Sequence, residues 1–178
     1  NQDGANMKAQ LEKAGYKVDL QYANNEIATQ VAQVENMIAT NCKALVIASI
    51  DGSALKSVLA QAKEKGIPAI AYDRLIMDTD AVTYYATFDN YKVGTLQGEY
   101  LVDKLGLKSR TAADPVYMEF FTGDPGDNNI NFFFGGAMDV LTPYLKSGVI
   151  VCPSGQTEKA QAATLNWSTE EAQKRMEN

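Results

Sequence analysis

The sequence predicts an α/β protein with doubly wound parallel sheets, and three observations lead there. Ala44 to Ile50 and Ala69 to Tyr72 are short apolar runs without alternation, as expected for parallel strands buried on both faces. Each run is followed, after a polar turn, by apolar residues at helical spacing. Strands and helices then alternate at intervals of about 25 residues, the rhythm of βα units.

The elements follow in order. Met7, Leu11 and Ala14 recur at helical spacing, and Gly15 stands where a glycine ends a helix. Val18, Leu20 and Tyr22 alternate as a strand, and Asn24-Asn25 offer a cap to a helix with Ile27, Val31, Val34 and Ile38 on one face. After Ala44 to Ile50, Ser53 is placed to cap a helix carrying Leu55, Val58, Leu59 and Ala62, which Gly66 ends. Tyr84 to Phe88 reads as a further strand. Asp89 then caps a helix whose apolar face is Val93, Leu96, Tyr100, Leu101 and Leu105.

Lys108 to Pro115 is polar and carries breakers, so it is the expected crossover between two lobes. Beyond it, Val116 to Phe121 reads as a strand, Asp127 to Leu141 as a helix stopped by Pro143, and Val149 to Cys152 as a strand. Ser168 with Glu171 forms a capping box for a last helix from Thr169.

Composition removes whole classes of function. Sixteen basic against 22 acidic residues give a net charge of −6, which repels nucleic-acid backbones and anionic lipid surfaces. Histidine is absent, and with it every Ser-His-Asp or Cys-His arrangement and the commonest transition-metal ligand. No metal or cofactor motif is present. Cys42 and Cys152 match no CxxC spacing and read as two small core-filling residues, a disulfide between them being unsupported. The longest nearly apolar run is far short of the roughly 20 residues that span a bilayer. The sequence opens at Asn1 without a methionine and stops at Asn178 inside a helical pattern, and both ends read as cuts.

In open α/β sheets ligands sit beyond the carboxyl ends of the strands. The residues there are Asp51, Asp73-Arg74, Asp89-Asn90 and Asp124 to Asn129, so polar groups collect at one edge. Asp73-Arg74 combines a carboxylate acceptor with a rigid fork of donors, which suits a polyhydroxylated ligand; a strand-end ion pair would look the same. Gly123 to Asn129 is richer in turn residues than a plain connection needs, though Asp127 or Asn128 would also serve simply as an N-cap. Trp167 precedes a capping box, where an indole face is either a ligand platform or a packing anchor. Of Phe132, Phe133 and Phe134, at least two are expected in the core.

Leu45 to Gly52, Ile70 to Ile76 and Tyr84 to Asn90, followed by Val93-Gly94, strongly resemble the multiple-monosaccharide-binding and xylose-binding proteins of ABC sugar importers. Asp127 to Asn129, Phe132 to Phe134, Gly136 to Met138 and Trp167 to Met176 look like the same family's second lobe. The resemblance implies a type I periplasmic-binding-protein fold, with residues 1–108 as a first Rossmann-like lobe lacking its first strand and 109–178 as the beginning of a second. It implies Asp73, Arg74, Asp127 and Asn129 as sugar contacts and Trp167 as the aromatic stacked on the pyranose. It further implies a non-enzymatic receptor outside the cytoplasm, periplasmic or lipid-anchored, monomeric when intact and without a cofactor. Its partners would be a monosaccharide, the membrane permease subunits of an importer, and a chemoreceptor or sensor kinase.

Two competing readings share these residues. The effector-binding part of a LacI-type repressor has the same fold, but no helix-turn-helix or basic arm is visible. A sugar-processing enzyme would use Asp73 and Asp127 as acid and base; an Arg74 paired to Asp73 would instead keep that carboxylate ionised and favour binding.

Overall fold

The computed structural model describes residues 2–177. Helix α1 (Gln2–Lys13) ends in a Schellman turn: the Tyr16 N–H donates to the Leu11 carbonyl, the Gly15 N–H to that of Glu12, and Gly15 takes φ +91°. The chain then runs extended, but Val18 to Tyr22 joins no ladder among the described residues, so the expected strand is not formed. Its backbone is served by the next helix instead, Gln33 of α2 (Ile27–Ala39) donating to the Tyr22 carbonyl. Val34 and Ile38 bury the inner face of α2 as its spacing predicts. Asn24 and Asn25 do not cap it. Both adopt left-handed backbone, and Glu26 takes the N-cap position without a side-chain bond.

Strands β1 (Leu45–Ile47), β2 (Ala69–Tyr72) and β3 (Val82–Ala86) form a parallel sheet in the order β1-β2-β3. β3 starts two residues before the expected Tyr84, because a bulge at Thr83 lets its hydroxyl take the Ala69 N–H. β1 is buried on one face only: Leu45 and Ile47 are inside, while Val46 is 40% exposed. Helix α3 (Lys56–Glu64) inserts Val58, Leu59 and Ala62 against β1 and β2, and with Leu55, Ile38 and Ala69 they make a first core. Ser53 does not cap α3; its N–H donates to Asp51 Oδ1 at 2.7 Å, closing an Asx turn.

Helix α4 (Asn90–Lys104) is capped by Asp89, whose carboxylate accepts the Lys92 N–H at 2.8 Å. Strands β4 (Val116–Tyr117) and β5 (Ile150–Val151) pair in parallel; helices α5 (Asn129–Lys146), α6 (Lys159–Ala162) and α7 (Thr169–Glu177) and two short 3-10 helices, Leu107–Ser109 and Leu165–Trp167, complete the described elements. A second core gathers Val102, Leu107, Phe120, Leu141 and Ile150. Helix α4 therefore packs with the second core. The chain passes between the cores at residues 87–89, and Lys108 to Pro115, the breaker-rich stretch expected to be the crossover, lies within the second unit.

The buried face of α4 also differs from the apolar stripe. Gly94, Gly98 and Val102 face inward, while Leu96 and Tyr100 are exposed. The cause is the crossing with α5: a Cβ on Gly94 would overlap the Phe133 carbonyl, one on Gly136 the Tyr91 carbonyl, and one on Gly98 would come 2.9 Å from Val140 Cβ. Side chains fit only outside this contact, so none of Phe132, Phe133 and Phe134 is fully buried; Phe133 stacks on Phe88 at 6.3 Å and Phe134 packs at the margin of the core. Pro143 lies within the last turn of α5 without ending it, since only the Asp139 carbonyl loses a helical donor there. Ser168 accepts the Glu171 N–H, which is half of the expected capping box. Cys42 and Cys152 are free thiols, each half-buried against a different core. No helix of the described residues is long and apolar enough to cross a membrane.

The glycine crossing makes a prediction. Gly94→Ala is expected to lower stability in urea by about 1–3 kcal/mol, because backbone must move to admit one methyl. Gly135→Ala, whose new Cβ would meet nothing nearer than 3.9 Å, should raise it by about 0.5–1 kcal/mol through helix propensity. Equal effects at the two positions would contradict the packing.

Candidate functional site

The residues beyond the strand ends meet where the two cores touch. Asp73 closes β2 in left-handed backbone, φ +64°, its N–H donating to the Ala86 carbonyl. Arg74 follows, and its Nη1 donates to the carbonyls of Ile50 at 3.1 Å and Ser49 at 3.4 Å beyond β1. Its Nε lies 3.0 Å from Asp127 Oδ2. Asp127 is only 3% exposed, and it precedes α5, where its Oδ1 accepts the Asn129 N–H at 2.9 Å. That bond supplies an orphan amide at the helix start, and the negative charge lies at the favourable end of the α5 dipole.

Asn129, 2% exposed, carries the contact back to the first core. Its Nδ2 donates to the Asp73 carbonyl at 3.1 Å, and its Oδ1 accepts from Asn90 Nδ2 at 3.3 Å and from the Tyr85 hydroxyl at 3.4 Å. Trp167 donates from Nε1 to Asp127 Oδ2 at 3.2 Å. Its backbone is left-handed at φ +53°, unusual for a bulky residue, and its ring lies so closely over Gly123 that a Cβ there would fall inside the indole. The neighbouring Asn166 N–H is held by Asp124 Oδ2 at 2.5 Å. Trp167 remains 46% exposed, so the indole is pinned yet partly open to solvent.

All five residues singled out from the sequence, Asp73, Arg74, Asp127, Asn129 and Trp167, thus belong to one connected network. One expected pairing is different. Arg74 turns to Asp127 and the two carbonyls rather than to Asp73, and the Asp73 carboxylate accepts no hydrogen bond among the described residues. Its pKa is raised: desolvation is the largest cause, repulsion from Asp127 adds to it, and Arg74 offsets part. Tyr85, Asn90 and the pair Asn25–Asn166 were not singled out. Asn90 was visible as a post-strand residue, whereas Tyr85 sat inside a strand and gave no signal.

A cavity of about 710 Å³ lies elsewhere, between α4, α5 and residues 118–122 after β4. Its lining is mainly apolar, with Leu96, Tyr100, Phe121 and Phe133 prominent, so it lacks partners for a polyhydroxylated ligand. The polar network is the better match to a polyhydroxylated ligand.

A network of acceptors, a fork of donors and an aromatic face, set between two α/β cores, matches the architecture the sequence resembled. Residues 1–178 match the model of the periplasmic binding protein domain. The chain belongs to that family. It is 53% identical over 99% of its length to the multiple sugar-binding periplasmic protein SbpA of Azospirillum brasilense, covering 49% of that protein. It is 40% identical over 94% of its length to the D-xylose-binding periplasmic protein of Escherichia coli, covering 46% of it. Among solved structures it is similar to an ABC transporter solute binding protein from Clostridium phytofermentans with bound β-D-glucose, at TM-score 0.96 and 63% identity, covering 99% of this chain and 54% of that one. The fold is the type I periplasmic-binding-protein fold with parallel sheets. This family member spans about half the length of the curated relatives it matches.

The raised pKa of Asp73 sets a sign. A carboxyl that holds its proton more tightly folded than unfolded subtracts stability once ionised; the penalty is full above the folded pKa and vanishes below the unfolded value of about 3.9. Asp73→Asn is therefore expected to raise the Tm of the ligand-free protein at pH 7, with the gain shrinking as pH falls toward about 4. Thermal melts in which the gain grew on acidification would reverse the assignment.

Proposed function

We propose that the protein is a receptor for monosaccharides, aldoses such as glucose, galactose, arabinose or xylose, which it binds between its two lobes without transforming them and delivers to an ABC importer outside the cytoplasm. The observation that carries this reading is the network across the cores: Asp73 offers a carboxylate with unclaimed acceptor sites, Arg74 offers donors, and Trp167 offers a fixed apolar face. Sugar hydroxyls need both acceptors and donors, and the C–H face of a pyranose stacks on an indole. Asp127 keeps both oxygens occupied by Arg74, Trp167 and Asn129, which suits holding a charge in place rather than transferring a proton.

The relatives support transport rather than repression or catalysis: the two curated proteins are named as sugar-binding periplasmic proteins, and the structural relative carries β-D-glucose. Mechanistically, sugar held by one lobe gains further hydrogen bonds from the other, so the closed form is favoured by differential affinity. The permease subunits of the importer would read that closed shape, with a chemoreceptor or sensor kinase as a second reader. A monomer in the periplasm, or lipid-anchored outside a Gram-positive membrane, belongs to the same proposal.

Isothermal titration of a full-length protein carrying this chain, which spans about half of its curated relatives, with glucose, galactose, arabinose and xylose is expected to give micromolar or tighter binding for at least one, whereas residues 1–178 alone should bind none tighter than millimolar; no heat from any of the four with the full-length protein would overturn the reading. Arg74→Ala should weaken that binding by more than about 2 kcal/mol, since it deletes charged donors and strands Asp127. Sugar should change the emission of Trp167, the sole indole in this sequence, because stacking excludes water from its face; a full-length protein carrying Trp167→Phe that gave the same fluorescence change on titration would reject the stacking.

A further inference from the structure

Besides the network around Asp127, a side-chain hydrogen bond among the described residues joins the two units: Asn25 Nδ2 donates to Asn166 Oδ1 at 3.0 Å, across 141 positions of sequence. Asn25 belongs to the first unit. It sits in the turn before α2, a helix further tied to that unit by Gln30, which donates to the Ala48 carbonyl and accepts the Ile50 N–H. Asn166 belongs to the second, its N–H held by Asp124 and its neighbour Trp167 by Asp127. Both asparagines have left-handed backbone, φ +66° at Asn25 and φ +56° at Asn166, with Asn24 and Trp167 beside them in the same region. Seven non-glycine residues among those described have positive φ, and four of them flank this single contact. Left-handed backbone at a non-glycine residue is a conformational cost that the surrounding structure must offset, and such residues concentrate at functional sites.

We propose that Asn25 and Asn166 form a clasp between the lobes, a pair of positioning residues that touch no ligand but hold the lobes together beside Trp167 and so set how fast a bound sugar escapes. The inference rests on the two-lobed receptor reading for its consequence, but the clasp itself is a contact within the chain. Asparagine is suited to both positions. It tolerates left-handed backbone better than other residues with a side chain, and its amide offers donor and acceptor together, so the pair can bond in either of two complementary orientations, with Asn25 donating or with Asn166 donating. The bond is solvent-exposed, hence weak enough to break in each binding cycle.

The test uses a reporter amide that spans the lobes. Gly52 N–H donates to the Gly126 carbonyl, from the first unit to the second, at 3.3 Å, whereas Thr164 N–H donates to the Gly123 carbonyl within the second unit at 3.0 Å. Asn25→Gly removes the side chain and keeps the left-handed turn accessible. In ligand-free protein, hydrogen exchange at Gly52 should speed up about three- to tenfold while exchange at Thr164 stays unchanged. Unchanged exchange at Gly52, or equal acceleration at both amides, would overturn the clasp, the second outcome showing general destabilisation only. Asn25→Asp should restore slow exchange, because the Asn166 amide can turn its NH₂ toward the carboxylate. With β-D-glucose as the probe in stopped flow, Asn25→Gly should raise the dissociation rate by a similar factor and leave the association rate unaltered. If the unsubstituted protein binds no glucose, the receptor reading suffers, while the exchange experiment still decides the clasp.

Discussion

A carboxylate buried to 3% exposure is costly unless every lone pair is matched, and Asp127 is the point on which the site depends. Its three donors come from three different parts of the chain: Arg74 after β2, Asn129 at the start of α5, and Trp167 in the turn before α7. Arg74 is in turn fixed by two carbonyls after β1. Satisfying one charge therefore orients the ends of two strands, a helix and an aromatic turn at once. The desolvation penalty of such a pair runs to several kcal/mol per ion, so its return lies more in geometry than in net stability.

The position of Asp127 rests on the packing beneath it. Glycines at 94, 98 and 136 let α4 and α5 approach at backbone contact, which fixes where the α5 N-terminus, and with it Asn129, meets the first core. Trp167 illustrates the same economy of space. Only a glycine at 123 leaves room for the indole, and the ring so lodged, together with its bond to Asp127, holds a left-handed tryptophan backbone that costs on the order of 1–3 kcal/mol. The indole is thus held by contacts within the chain, which would reduce the ordering cost of stacking a ligand on it.

Much of this was legible in the residues. Apolar runs located β1 and β2, helical spacing located the buried faces of α2 and α3, and the rule for strand ends gathered Asp73, Arg74, Asp127 and Asn129 before any geometry was known. The failures have physical causes. The stripe of Leu96, Tyr100 and Leu101 outweighed Gly94 and Gly98 of the same helix in a reading by hydrophobicity, because close helix contact is signalled by missing side chains, which such a reading counts as nothing. Assigning the crossover to Lys108 to Pro115 followed the breakers, whereas the cores divide at residues 87–89, a stretch that reads as the end of a strand. Alternation at Val18 to Tyr22 described an extended chain correctly, but a strand also needs a neighbour to pair with. The partner of Arg74 was beyond reach because ion pairs are set by tertiary placement, and adjacency in sequence favoured Asp73.

That last difference bears on how a ligand would gain its affinity. Asp127 is already satisfied by partners within the chain, so a hydroxyl donated to it would replace one bond with another and gain little. Asp73 is in the opposite state: partly desolvated, repelled by Asp127, and without a hydrogen-bond donor among the described residues. A hydroxyl donated to Asp73 would offset a penalty the folded protein already carries, and hydrogen bonds to an ionised acceptor are roughly twice as strong as neutral ones. The two carboxylates thus divide the work by environment. Asp127 holds the strand ends and the indole in register, and Asp73 keeps acceptor capacity that the proposed polyhydroxylated ligand would use.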